Sequence, residues 1–211
     1  SSDCLRITDS LSGEVDDAFL DVSPDCQIAH DRHVSLDENG FVLAYTDGSA
    51  AGATNRATAR AGWGVHYCRG SKHNQAAFLK GPVQSWSRAE LRALLEACRC
   101  AKSPTRVIAD CKFVVDAANE ILRGDDRKFM YLPDADLWKR FTDIVNAKGI
   151  HWFKVEWMPS HLNDSGYEDK RKKFANHPLA VEPHISGNAG ADKLAEEGRL
   201  LRALPQGMLW A

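Results

Sequence analysis

The stretch that most limits what this chain can become is Phe41 to Ser49, FVLAYTDGS. Mixed aromatic, β-branched and aliphatic residues run directly into Thr46, Asp47 and Gly48, the pattern of a buried strand that ends in a turn. Asp47 is therefore expected at a strand's mouth. A carboxylate there either holds the turn through local hydrogen bonds or serves as a ligand and catalyst on rigid scaffold. Turn chemistry explains it alone, so the functional reading depends on other acids arriving beside it.

Three more acids qualify. Arg106 to Cys111 (RVIADC) is a short apolar run that again meets an aspartate, Asp110. Arg88 to Lys102 is rich in Ala, Leu, Glu and Arg with apolar spacing of three and four, a helix carrying Glu90 on its first turn. Ser87 and Glu90 also satisfy the capping-box spacing, which explains Glu90 without any chemistry. Gly187 to Leu201 reads as a final helix, with Asn188 as N-cap and Asp192 on its first turn. Strand ends in an open sheet gather ligands at one edge, so four carboxylates from four elements can converge. Such a cluster repels itself and needs protons or cations, and oxygen-only ligation favours Mg²⁺ or Mn²⁺ over zinc.

Between these landmarks, Arg60 to Cys68 and Ala76 to Lys80 read as strands that complete an antiparallel meander with the first. Phe113 to Leu122 and Asp134 to Val145 read as helices, and His151 to Met158 alternates as a strand before Pro159. The order β-β-β-α-β-α-α-β-α predicts an α/β fold, a mixed sheet with helices on its faces. Residues 162–186 are polar and aperiodic, with one basic run, Lys170 to Lys173. Loops of this length are usually functional or disordered.

Length bounds the rest. The 211 residues suit one domain with a sizeable core plus an appendage. Residues 1–40 hold ten acids against Arg6 and Arg32, so an acidic leader or linker precedes a net-positive domain, 41–211, compatible with a polyanionic ligand. The six cysteines have no CxxC pair and read as reduced thiols. Cys4, Cys26, His30 and His33 match no common structural-zinc spacing. No apolar run reaches membrane-spanning length and no signal segment is evident, so a soluble, intracellular monomer is expected.

The order and spacing of TDGS (46–49), RAEL (88–91), ADCKFV (109–114), MPSH (158–161) and GNAGADKLA (187–195) resemble the ribonuclease H family. That resemblance implies a five-stranded mixed sheet whose first three strands are antiparallel. It implies hydrolysis of the RNA strand of RNA/DNA hybrids with two Mg²⁺ ions, which Mn²⁺ can replace. Asp47, Glu90, Asp110 and Asp192 match the family's metal-binding carboxylates, and His161 its mobile-loop histidine. Gly48, Ser49, Asn55, Ser87, Arg88 and Asn188, in or beside the motifs, are the expected substrate contacts. Residues Ala50 to Ala59 replace the family's tight loop, no basic protrusion is evident between Leu122 and Asp134, and the stretch between His161 and Asn188 is long. These departures make the chain look like a retroelement ribonuclease H, the tail of a reverse transcriptase. The competing readings are a non-catalytic hybrid-binding module and a DNA nuclease on the same fold.

Overall fold

The apolar run at Phe41 opens a strand longer than its apolar half. In the computed structural model, which describes residues 33–52, 58–125, 129, 131–162 and 164–201, β1 spans Val42–Ala51. It is the central strand. On one side it pairs antiparallel with β2 (Arg60–His66), and β2 pairs with β3 (Gln75–Phe78). On the other it runs parallel to β4 (Thr105–Ala109), which is parallel to β5 (Phe153–Trp157), giving the order β3-β2-β1-β4-β5.

The strand-mouth position expected for Asp47 needs correcting. Parallel pairing with β4 stops at Thr46 opposite Ala109, but antiparallel pairing with β2 continues from Asp47 opposite Gly64 to Ala51 opposite Arg60. Polar TDGS reads like a turn because the apolar run ends there, while burial and the backbone hydrogen bonds continue. Asp47 sits inside β1, at the end of the sheet's parallel half.

Alternation sorts the two faces. Val42 and Ala44 of β1, Val65 of β2, Val107 of β4 and Val155 of β5 share one core with α1 (Trp86–Cys100), α2 (Lys112–Leu122) and α3 (Ala135–Lys148). The intervening Leu43, Tyr45 and Ile108 face the opposite way, against Met158, Leu179 and Ala191. Ala191 belongs to α5 (His184–Leu200), so helices cover both faces as expected. A 3₁₀ turn, Ile150–Trp152, leads into β5, and α4 (Glu168–Lys173) lies in the β5–α5 connection.

Helix ends differ from the sequence expectation. The N-cap of α1 is Ser85, whose Oγ accepts from the Arg88 N–H at 3.2 Å. Ser87 is therefore inside the helix, and Glu90 is only 1% exposed and makes no capping box. At the other end Lys148 donates to the carbonyls of Cys98, Arg99 and Ala101 at 2.9, 2.8 and 2.6 Å, satisfying acceptors that a helix terminus leaves open. The last helix begins at His184 rather than Gly187, so Asn188 is an interior residue, not a cap, and Asp192 lies beyond the first turn. Polar His184, Ser186 and Asn188 hid the first turn from a periodicity search.

Residues 162–186 hold more structure than their composition suggests. Phe174 and His177 meet the Trp157 ring edge-on at centroid distances of 5.8 and 5.2 Å, and Leu179 is buried with Tyr45 and Ile108. Three anchors, Phe174, His177 and Leu179, rather than a periodic face, dock this segment. The residues just before β1 also pack on the sheet: Leu36 bridges Val42, Val34 packs on the core, and Cys68 donates to the His33 carbonyl. The described cysteines, Cys68, Cys98, Cys100 and Cys111, are free thiols.

Helix α5 lies so close to β2 that a Cβ at Gly64 would come within 2.5 Å of the Ala195 nitrogen and 2.6 Å of the Ala191 carbonyl oxygen. Gly64→Ala is therefore expected to destabilise the protein by about 1–3 kcal/mol through overpacking. Urea denaturation measures it, and an unchanged midpoint would refute this close approach.

Candidate active site

Three carboxylates meet where the parallel strands end. Asp47 comes from β1, Asp110 follows directly on β4, and Glu90 comes from the start of α1. One carboxylate oxygen of each lies within 4.8 Å of the other two. Gly48 permits this, since a Cβ there would overlap the backbone of Ala89 and Glu90 and push α1 off the strand. Expected as a substrate contact, Gly48 serves in the structure as the point where helix and strand touch.

Burial makes the cluster costly. Asp47, 7% exposed, has its carboxyl pushed up to about 8, first by desolvation and then by the charges of Asp110 and Asp192. Glu90 is raised well above the usual range by desolvation and by Asp47 and Asp110. Asp110 is also raised by burial, against a lowering from the Asn188 amide and the His161 and Lys170 charges. Both Glu90 carboxylate oxygens are buried without a hydrogen-bond partner among the described residues. An oxygen-only set of acids with unpartnered buried oxygens fits a hard divalent cation.

The fourth acid borders the same cleft. Asp192 lines it with Asp110, Asn188 and His161, together with Met158, Pro159 and Leu162. Its carboxyl is raised by burial, opposed by His161. His161 takes a left-handed backbone conformation (φ 56°), pairs through Nδ1 with Asp164 at 3.0 Å and stacks on Tyr167 at 5.7 Å. It is thus on the rim, about half exposed.

Asn188 turns inward, donating from Nδ2 to Asp110 Oδ2 at 3.2 Å, with its own Oδ1 buried and unpartnered. Trp157 Nε1 donates to the Asp110 carbonyl at 2.9 Å. Sequence reasoning missed this indole as a support for Asp110. The alternation of HWFKVEWM placed Trp157 on a strand but carried no signal of its partner.

The other expected substrate contacts are engaged within the protein. Arg88 forms ion pairs with Asp134 at 2.9 Å and Asp136 at 2.6 Å, which hold the Asp136 carboxyl below its ordinary value. Ser49 Oγ accepts from Arg199 Nε at 3.0 Å, and Ser87 Oγ is 3.4 Å from Ser85 Oγ. Asn55 lies outside the described residues.

The sheet order and its flanking helices define a ribonuclease H-like fold. The family model described as RNase H matches residues 39–199. A ribonuclease H of Ralstonia nicotianae is 28% identical over 165 residues, covering 74% of this chain and 90% of its own length. The solution structure of the PFV RNase H domain superposes with a TM-score of 0.54 at 23% identity, over 75% of this chain and 94% of that one. The Prototype Foamy Virus protease-reverse transcriptase matches at TM-score 0.55 and 24% identity, over 77% of this chain but 21% of that one. The chain belongs to the ribonuclease H family.

The cluster's charge should be measurable in the metal-free protein. A folded-state value near 8 for Asp47 lies above the ordinary 3.8, so its stabilising protonation is fully present below about pH 4 and lost as pH rises through 8. Asp47→Asn, which cannot ionise, should therefore gain stability over the wild type between pH 5 and 9, as urea midpoints in EDTA would show. A constant difference across that range would contradict the buried, mutually repelling arrangement.

Proposed function

We propose that this protein is a metal-dependent endoribonuclease that hydrolyses the RNA strand of RNA/DNA hybrids. The observation that carries the reading is the convergence of Asp47, Glu90 and Asp110, with both Glu90 oxygens buried and unpartnered. Asp192, which lines a cleft with Asp110, would be the fourth ligand. Family membership and similarity to a bacterial ribonuclease H support the choice of reaction.

Bound there, two Mg²⁺ ions, replaceable by Mn²⁺, would supply activation of the attacking water and stabilisation of the leaving 3′ oxygen. Asp47 on β1, Asp110 just after β4, Glu90 on α1 and Asp192 on α5 would hold those ions, two carboxylates from strands and two from helices. Asn188 orients Asp110 through its amide, and Trp157 pins the Asp110 backbone. His161, on the cleft's rim, is positioned to move a proton or to assist product departure, a role suited to imidazole. Hydrolysis joins the water oxygen to phosphorus and breaks the bond from phosphorus to the 3′ oxygen.

Specificity for a hybrid would come from 2′-hydroxyl contacts on one strand and deoxy geometry on the other. Likeness to the Prototype Foamy Virus protease-reverse transcriptase, together with the long β5–α5 connection, favours work beside a reverse transcriptase. The protein would act as a monomer within the cell.

Labelled RNA/DNA hybrid, double-stranded RNA and double-stranded DNA, each with Mg²⁺ or EDTA, test the reading. Cleavage of only the hybrid's RNA, lost in EDTA, is expected. DNA cutting or binding without cleavage would overturn it. Asp110→Asn should lower cleavage by at least about a hundredfold, the scale for losing a charge-stabilising group in an active site, with circular dichroism unchanged. Near-normal turnover would remove Asp110 from the machinery. Raising salt from about 50 to 200 mM should weaken hybrid affinity at least about tenfold as phosphate contacts are screened, and a flat response would argue against a polyanionic ligand.

A further inference from the structure

Helix α4 brings a cation to the rim of the carboxylate cleft. Lys170 Nζ is 2.8 Å from Ser160 Oγ and 5.6 Å from the centre of the Tyr167 ring. Ser160 lies between Pro159 and His161, both of which line the cleft, and Tyr167 is the ring on which His161 stacks. Among the described residues no carboxylate pairs with Lys170.

Its neighbours differ. Arg171 is committed to the Leu162 carbonyl at 3.1 Å and to Glu168 at 3.0 Å. Lys172 points to Asp169 at 3.9 Å with its side chain 81% exposed, and Lys173 lies over Phe174. Lys170 and Arg171 are both hydrogen-bonded to the segment that walls the cleft, but Arg171 is also paired with Glu168, which leaves Lys170 as the one of the two without a carboxylate partner among the described residues. Its charge also reaches Asp110, whose carboxyl is raised mainly by burial and lowered in part by Lys170.

The carrier is anchored. Phe174 and His177 close around Trp157, and that same indole donates to the Asp110 carbonyl. The position of α4 is thereby tied to the element that supplies a central acid. A hydroxyl partner is easily exchanged for a phosphate oxygen, a stronger acceptor for an ammonium.

We propose that Lys170 is a substrate-binding residue, seating a backbone phosphate of the cleaved strand beside the scissile one. This rests on the reading that the cleft acts on nucleic acid, and adds a contact supplied by the β5–α5 connection. The Trp157, Phe174 and His177 cluster positions it.

The test compares wild type, Lys170→Gln, Lys170→Arg and the double variant Lys172→Gln/Lys173→Gln. Hybrid affinity is measured with Ca²⁺ in place of Mg²⁺ across a salt series, and cleavage with Mg²⁺. Lys170→Gln should raise KM and Kd roughly tenfold and reduce the salt slope by about one, as for loss of one phosphate contact. Lys170→Arg should recover most of the loss, and the double variant should remain near wild type with an unaltered melting temperature. A merely structural role would lower the melting temperature without changing the salt slope, and that result overturns the proposal. Equal losses in Lys170→Gln and the double variant overturn it too, since they indicate diffuse charge. A wild type that cuts hybrid with Lys170→Gln indistinguishable from it defeats this assignment alone. A wild type that neither binds nor cuts hybrid defeats the nuclease reading as well.

Discussion

Mutual repulsion among buried acids is the constraint on which the rest of the architecture depends. Asp47, Glu90 and Asp110 are brought within ligand-sharing distance although burial opposes ionisation of each and neighbouring acids add to that at Asp47 and Glu90. Nothing local to the three side chains would keep them there. The backbone does so: β1 lies between an antiparallel and a parallel partner, and α1 presses onto Gly48 with no room for a Cβ. The energy stored in the cluster is offset by a large apolar core on one face and by a tightly apposed helix on the other.

The two faces divide this labour. The α1, α2 and α3 side is filled with bulky residues such as Trp138, Phe141 and Leu94, which provide most of the buried apolar bulk. The α5 side uses small residues, so that the helix bearing Asn188 and Asp192 sits close to the strands. Close approach matters because Asn188 must reach Asp110 with a short side chain. The second side of the cleft, around His161, is braced by contacts with Asp164 and Tyr167.

Much of this was legible from the chain alone, for identifiable reasons. The succession of strands and helices along the chain followed from alternation and from Ala- and Leu-rich periodicity, the five-stranded mixed sheet from the resemblance to the ribonuclease H family, and Asp47 and Asp110 stood out because they closed apolar runs. Misreadings fell where local chemistry mimics something else. TDGS looks like a turn, yet β2 continues the hydrogen bonding. Ser87 and Glu90 have capping-box spacing, yet Ser85 caps and Glu90 turns inward. Asn188 is a common cap residue, yet the helix starts at His184. The docking of residues 162–186 was invisible because Phe174, His177 and Leu179 are anchors to distant partners, Trp157 and Tyr45, without a local period. Among the described residues no helix is long and apolar enough to cross a membrane.

The short segment before β1 changes where the folding unit begins. Family similarity starts at residue 39, but Asp37 is nearly inaccessible and faces Arg106 at 3.5 Å, while Arg106 also holds Glu156 at 2.6 Å. Asp37 further accepts from the Phe41 N–H, and the Leu43 N–H donates to the Ser35 carbonyl. These contacts tie the residues before β1 to β4 and, through Arg106, to β5. An excision made at the edge of similarity would therefore remove a counter-charge from Arg106 and uncover one side of β1. A unit cut so as to keep these contacts would retain the residues from His33 onward rather than begin at the motif boundary.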